Sequence, residues 1–250
     1  MTPFAIWLTF HGDLSFFLKS KTPRIKRQLS ERNSIKDVIE ACGVPHTEVD
    51  LILVNSRPVD FAAILTQDVA VDVYPPNQTH PPLFPEDRLQ VRDIERFVAD
   101  GHLGKLVRNL RLLGIDVTYD PVVEDRQLVT TSNNEERALL TRDRRLLMHA
   151  AVRHGYYLRS QDPLEQTVEV LRRFDLAPTL APFSRCLRCN ARLEPAKKAD
   201  VFERLEPLTR IYYEQFRRCR GCGQVYWSGS HFDKLRARVE EVCARLPGQS

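Results

Sequence analysis

Four cysteines fall in two pairs of the same spacing, Cys186-x-x-Cys189 and Cys219-x-x-Cys222. Each pair brings two thiolates to one tight turn, and four thiolates close a tetrahedral zinc site. A closed site has no open position for water, so its zinc is structural. A redox C-x-x-C would not come duplicated, which leaves metal as the reading of the spacing. "CRGCG" adds Gly221 and Gly223 where a zinc knuckle bends, supporting a ribbon. His231 follows Trp227 in "YWSGSH", but with four cysteines at hand zinc does not need it. Cys42 and Cys243 stand alone and read as packing residues.

The second set is acidic. In "ALLTRDRRLL", residues 138–147, an apolar run climbs to Thr141, and Asp143 follows between Arg142 and the pair Arg144–Arg145. Asp100 ends the segment "DIERFVAD", and Asp125 opens "DRQLVTTSNNEER". Taken singly, each precedes a helical pattern, where aspartate is a common cap. Taken together they mean more, because caps can equally be Ser, Thr or Asn. In a parallel sheet the carboxyl ends of the strands share one edge, where ligands bind. Three carboxylates there suit a hard cation such as Mg²⁺ or Mn²⁺, which takes oxygen ligands and keeps water. Such ions promote in-line displacement at a phosphodiester. Asp116 starts its strand, away from that edge, and is read as structural. Asp120 stays open as a ligand, Glu136 is a weaker candidate, and Glu135 is read as solvated.

Basic residues surround these positions. Lys105, Arg108 and Arg111 recur every three residues after Asp100, and Arg142, Arg144 and Arg145 bracket Asp143. Near the cysteines, Arg185, Arg188, Arg192, Arg217, Arg218 and Arg220 alternate with Tyr212, Tyr213, Phe216, Tyr226 and Trp227. Guanidinium groups suit phosphates, and aromatic faces suit unpaired bases. The expected contacts to nucleic acid are Lys105, Arg108, Arg142, Arg144 and Arg145.

The chain of 250 residues carries a formal net charge of +4, compatible with a nucleic-acid partner without requiring one. No apolar run is long enough to span a bilayer, so no membrane partner is expected. "MTPFAIWLTFHGD" lacks the pattern of a signal peptide, and a cytoplasmic location is the expectation.

Positioning these residues takes three parts. Residues 1–76 alternate strand and helix patterns: "FAIWLTF" and "RIKRQLS" as a hairpin, "SIKDVIEACGV" as a helix capped by Ser34, then "VDLILVNSRPVDF" and "VAVDVYP" as strands. That order resembles a ubiquitin-like, β-grasp domain. Its last turn and strand are similar to the sulfur-carrier branch. Those carriers end in a glycine pair, whereas this strand runs into "YPPNQTH", so an interaction or positioning role is expected. Residues 77–92 are dense in proline and read as a linker. Residues 93–180 alternate strands and helices, as a parallel α/β sheet requires, with Gly114 closing one helix and Asp162–Pro163 opening another. Residues 181–250 hold the cysteine pairs and a final helix.

"FVADGHLGKLVRNLRLLGIDV", "EERALLTRDRRLL" and "YYLRSQDPLEQ" resemble the Mut7-C family of PIN-like ribonuclease domains. The cysteine pairs and "VYWSGSH" are similar to that family's zinc-ribbon tail, and the β-grasp part to the ubiquitin-like domain fused before it. The resemblance implies a metal-dependent nuclease whose acidic positions fall on Asp100, Asp125 and Asp143. The expected function is therefore an RNA-hydrolysing enzyme with Mg²⁺ or Mn²⁺ at the acids and RNA gripped by the ribbon. The alternative is a non-catalytic RNA-binding or adaptor protein of the same fold. In either case the β-grasp domain would recruit a protein partner.

Overall fold

The structure is a computed structural model, described here for residues 2–76, 84, 86–230 and 232–246. In chain order its strands and helices are β1 (Phe4–Phe10), β2 (Arg24–Leu29), β3 (Asn33–Ser34), α1 (Ile35–Ala41), β4 (Leu51–Val54), β5 (Arg57–Val59), β6 (Ile64–Leu65), β7 (Val69–Tyr74), β8 (Arg96–Ala99), α2 (Gly104–Leu112) and β9 (Asp116–Tyr119). There follow α3 (Asp125–Asn134), β10 (Ala138–Thr141), α4 (Arg144–Leu147), β11 (Gly155–Tyr157), α5 (Pro163–Arg173), β12 (Leu193–Ala196), α6 (Lys198–Val201), α7 (Pro207–Tyr212), β13 (Phe216–Cys219), β14 (Val225–Trp227) and α8 (Phe232–Cys243). The chain packs as two units. One holds residues 1–93 and 132–157, the other residues 94–131 and 158–250.

In the first unit a five-stranded sheet runs in the order β2-β1-β7-β4-β5. The β1 strand is antiparallel to β2 and parallel to β7, which places the first and last strands side by side at the centre. This is the β-grasp arrangement. The alternation in β7 sends Val69, Val71 and Val73 inward, where they meet Ile6, Leu8 and Phe10 of β1. Ser34 caps α1 by accepting the Asp37 N–H, and the helix sets Ile35, Val38 and Ile39 into that core. Each such side chain, fully buried, contributes about 1.5–3 kcal/mol. A short 3-10 turn at Gly12–Phe17, which no periodicity announced, adds Leu14 and Phe17.

Of the proline-rich stretch, residues 77–83 and 85 lie outside the described residues. Its last part is fastened to the sheet. Asp50, 2% exposed, accepts the Gln90 N–H on Oδ1 at 2.9 Å and pairs Oδ2 with Arg88 Nη1 at 2.9 Å. Its carbonyl accepts the Leu89 N–H at 2.8 Å, and Leu89 packs on the β-grasp core. Removing one partner of such a pair leaves the other buried and uncompensated, at a cost of several kcal/mol. Asp50→Ala is expected to release residues 88–90, read as at least tenfold faster amide exchange at Leu89 and Gln90. Unchanged exchange would show that the segment is held by something else.

The first unit also contains a parallel pair, β10 with β11, in register Leu139↔Gly155 to Thr141↔Tyr157. All four residues of β10 are buried. The second unit contains the parallel pair β8 with β9. There α2 packs on α5: Asn109 donates to Pro163 O and Thr167 Oγ1, while Phe97 of β8 meets Phe174 edge-on at 4.9 Å between ring centres. Asp162 caps α5 with Pro163 at its first position, as the sequence indicates. The middle part thus has the expected parallel α/β character. The tail is a three-stranded antiparallel sheet, β12-β13-β14. Between the cysteine pairs, Val201 of α6 and Leu205, which lies between α6 and α7, pack with Phe216 and Val225 in a small core of their own.

Candidate functional site

The two cysteine pairs form matching knuckles. In the first, the Cys186 N–H donates to Ala191 O and the Asn190 N–H to Cys186 O. In the second, the Cys219 N–H donates to Gln224 O and the Gly223 N–H to Cys219 O. The fifth residue of each loop is left-handed, with φ of +72° at Asn190 and +71° at Gly223. Glycine and asparagine are the residues that tolerate this conformation, and the first knuckle uses the less obvious one.

These turns bring the sulfurs together. Cys186 Sγ lies 3.6 Å from Cys222 Sγ, Cys189 Sγ lies 3.3 Å from Cys219 Sγ, and all four lie within 4.8 Å of one another. Four sulfurs bound tetrahedrally at about 2.3 Å stand roughly 3.8 Å apart, so the set fits one ion. Burial raises the Cys189 thiol, but the Ala191 N–H and the neighbouring thiols outweigh it and bring it down to about 6. Burial, with the neighbouring thiols Cys189 and Cys186, pushes Cys219 up to about 12. Without an ion the four thiols thus share charge unequally. Cys186, Cys189, Cys219 and Cys222 would hold a divalent ion as four thiolates, whatever their separate tendencies to ionise.

Tyr226 supports the set from behind. Its hydroxyl lies 3.1 Å from Cys186 Sγ and accepts the Leu187 N–H at 3.1 Å. Burial, followed by the Cys186 sulfur beside it, raises the Tyr226 phenol above its ordinary value. This aromatic is part of the knuckle. Phe216 is core, while Tyr212 and Trp227 are exposed.

The first knuckle is bound to β9. Asn190 Oδ1 accepts the Val117 N–H at 3.2 Å, and its amide nitrogen donates to Asp116 Oδ1 at 2.8 Å. Arg185 pairs with Asp116 at 3.1 Å and donates to Gly114 O and Asn190 O. Arg111, 4% exposed, donates from Nε and Nη2 to Val117 O, and from Nη1 to Leu187 O and Arg188 O. The basic stripe expected on α2 therefore ends after Lys105 and Arg108, which are exposed. Successive steps of three along an α-helix each fall about 60° short of a full turn, so the third member of the stripe has rotated about 120° into the packed side. Arg111→Lys keeps the charge but not the planar fork that reaches three carbonyls. Either Arg111→Lys or Arg111→Ala is expected to lower the thermal midpoint by several degrees, from about 2 kcal/mol of lost stability. A melt coincident with the unsubstituted chain would remove Arg111 from this role.

The acids are placed as follows. In the second unit, Asp100 follows β8 at the start of a 3-10 turn, and its side chain makes no capping hydrogen bond. Asp125 is exposed in the first turn of α3. Asp120 Oδ1 accepts the Val122 N–H in a tight turn. In the first unit, Asp143 caps α4: Oδ1 accepts the Arg145 N–H at 2.7 Å and the Leu146 N–H at 3.3 Å. Both bonds use the same oxygen, and Asp143 is exposed. Asp143 is therefore a helix cap that keeps a second carboxylate oxygen outside the cap. Among the described residues, the group of three or more His, Cys, Asp or Glu side chains with ligand atoms this close is the cysteine set.

The basic candidates differ. Lys105, Arg108 and Arg145 are exposed, and Arg142 is half-buried. Arg144 Nη1 donates to Phe17 O at 2.9 Å, and its guanidinium lies over the Phe17 ring. In the ribbon, Arg218 and Arg220 pair with Glu194, Arg188 donates to Gln224, and Arg217 to Phe183 O.

The chain thus carries a β-grasp sheet, a parallel α/β part and a four-cysteine ribbon. Residues 95–239 match the Mut7-C RNAse domain and residues 4–80 match the Mut7-C ubiquitin domain. The chain belongs to the Mut7-C RNAse family, and its RNAse match takes in all four ribbon cysteines. No curated protein matches the chain. No helix among the described residues is long and apolar enough to cross a membrane.

Proposed function

We propose that the chain is a metal-dependent ribonuclease that hydrolyses RNA phosphodiester bonds, with Asp100, Asp125 and Asp143 as cation ligands and a zinc-bound ribbon that assists RNA binding. The observation that supports it best is the match of residues 95–239 to an RNAse domain, with each acid lying after a strand or at the start of a helix of that domain. The donor set suits a hard cation: all three side chains offer carboxylate oxygens, and Asp143 keeps one outside its cap. A Mg²⁺ or Mn²⁺ ion held there would neutralise phosphate charge and acidify a bound water. Exposed Lys105, Arg108 and Arg145 draw the backbone phosphates and offset the repulsion of three carboxylates. Reduced cysteines suit a cytoplasmic setting. A protein partner would meet the β-grasp domain on an open face such as Trp7, 45% exposed, with Lys26 over its ring.

The test is cleavage of single-stranded RNA by the zinc-loaded chain after removal of other divalent ions, with and without added Mn²⁺. Cleavage that appears only with Mn²⁺ supports the reading. RNA binding without cleavage at any Mn²⁺ concentration would favour the RNA-binding adaptor instead.

A further inference from the structure

The β-grasp domain has a partner inside its own chain. Residues 132–157 belong to the RNAse match, yet they pack in the same unit as residues 1–93. The contacts are specific. Arg144, the residue after Asp143, donates to Phe17 O at 2.9 Å and stacks over the Phe17 ring. Glu48, 1% exposed, accepts the Tyr157 N–H of β11 at 2.7 Å. His46 Nε2 donates to Val152 O at 2.8 Å, while its Nδ1 lies 2.7 Å from Glu40 Oε1. Tyr157 packs on the β-grasp core and meets Phe17 edge-on at 5.5 Å. Gly43, at φ +102°, leaves the room: a Cβ there would stand 2.9 Å from Phe17 O and 3.2 Å from Arg144 Nη1.

We propose that the ubiquitin-like domain is the positioning frame of Asp143, and that Arg144 is its main positioning residue. The inference rests on reading Asp143 as a cation ligand. A helix of four residues cannot hold itself, since nucleation costs more than one turn returns. Here the turn that carries Asp143 is fixed at Arg144, and the loop and strand that follow are fixed at Val152 and Tyr157. Two of these three ties end on backbone groups of residues 152–157, and the third ends on a backbone carbonyl of the β-grasp domain. The geometry therefore survives variation in the neighbouring side chains. A metal ligand must be held to within about half an ångström, and the β-grasp domain supplies that restraint. Arg144 thereby acts on the acid beside it instead of on phosphate.

The experiment compares the full chain with its Arg144→Ala, Glu48→Ala and Arg145→Ala variants. The first readout is backbone amide exchange over 143–148 and 155–157, with β1 as internal reference. The second is the Mn²⁺ concentration for half-maximal RNA cleavage set against KM for RNA. Arg144→Ala is expected to speed exchange at 145–148 about tenfold or more and to raise the Mn²⁺ requirement, leaving KM for RNA nearly unchanged. Glu48→Ala is expected to speed exchange at Tyr157, and Arg145→Ala to change neither segment. If Arg144→Ala raises KM for RNA while exchange stays as it was, Arg144 is a phosphate contact and the proposal is overturned. If Arg144→Ala does not fold, unchanged exchange in Glu48→Ala overturns it equally. Should the unsubstituted chain cleave no RNA, the exchange readout still decides the frame, and only the nuclease reading fails.

Discussion

Replacing Cys189 by serine is expected to empty the ribbon of zinc and to lower the thermal midpoint of the full chain by roughly 10 °C or more. A structural zinc contributes apparent binding free energy of about 10–16 kcal/mol in zinc-finger peptides. Only part of that reaches a chain of this size, but several kcal/mol suffices for the shift. The effect should not stop at the ribbon. Asn190 and Arg185 hold β9 from the first knuckle, and Arg111 binds β9 and the knuckle with one guanidinium. Loss of the knuckle therefore exposes the Val117 N–H and C=O, which amide exchange at Val117 would report. Cys42→Ser, a half-buried thiol on the β-grasp core, serves as the control and should keep its zinc. One zinc per chain in Cys189→Ser, with an unchanged melt, would contradict this account.

The second large effect is expected at Asp143. Asparagine caps a helix as well as aspartate does, so Asp143→Asn should keep the bonds to the Arg145 and Leu146 N–H groups. Its melt should stay within about 2 °C of the unsubstituted chain. Chemistry should suffer far more. Changing a group that merely supports a metal ligand costs about 10–100-fold, so losing the charge of a ligand should lower cleavage at least about a hundredfold. Part of that loss should return at high Mn²⁺. A fall in activity that tracks a fall in the melt would instead make Asp143 a cap and nothing more.

Much of this was legible in the sequence, for reasons that can be named. Alternation in "VAVDVYP" and the apolar stripe of "GHLGKLVRNLRLLG" are local signals, and β7 and α2 form where they stand. The C-x-x-C spacing is a local signal too, and the four sulfurs meet. What was not legible is what joins distant segments. Arg111 looked like one more basic residue of a stripe, because its acceptors, Leu187 and Arg188, lie about seventy-five residues further on. Asn190 gave no sign that it would take the left-handed position that Gly223 takes in the other knuckle. The tie from Arg144 to Phe17 spans 127 residues and ends on a main-chain carbonyl, which carries no side-chain signature at all. The helices α6 and α7 are one or two turns long, too short for a period to show.

In the proposed function, the acids of the RNAse domain carry metal-dependent cleavage. This is tested most directly by single-turnover RNA cleavage at saturating Mn²⁺, with zinc content verified, for the unsubstituted chain, Asp143→Asn and the surface control Asp233→Asn. Cleavage is expected from the first and third, and a rate at least about a hundredfold lower from Asp143→Asn with its melt unchanged. Equal cleavage by all three proteins would contradict it.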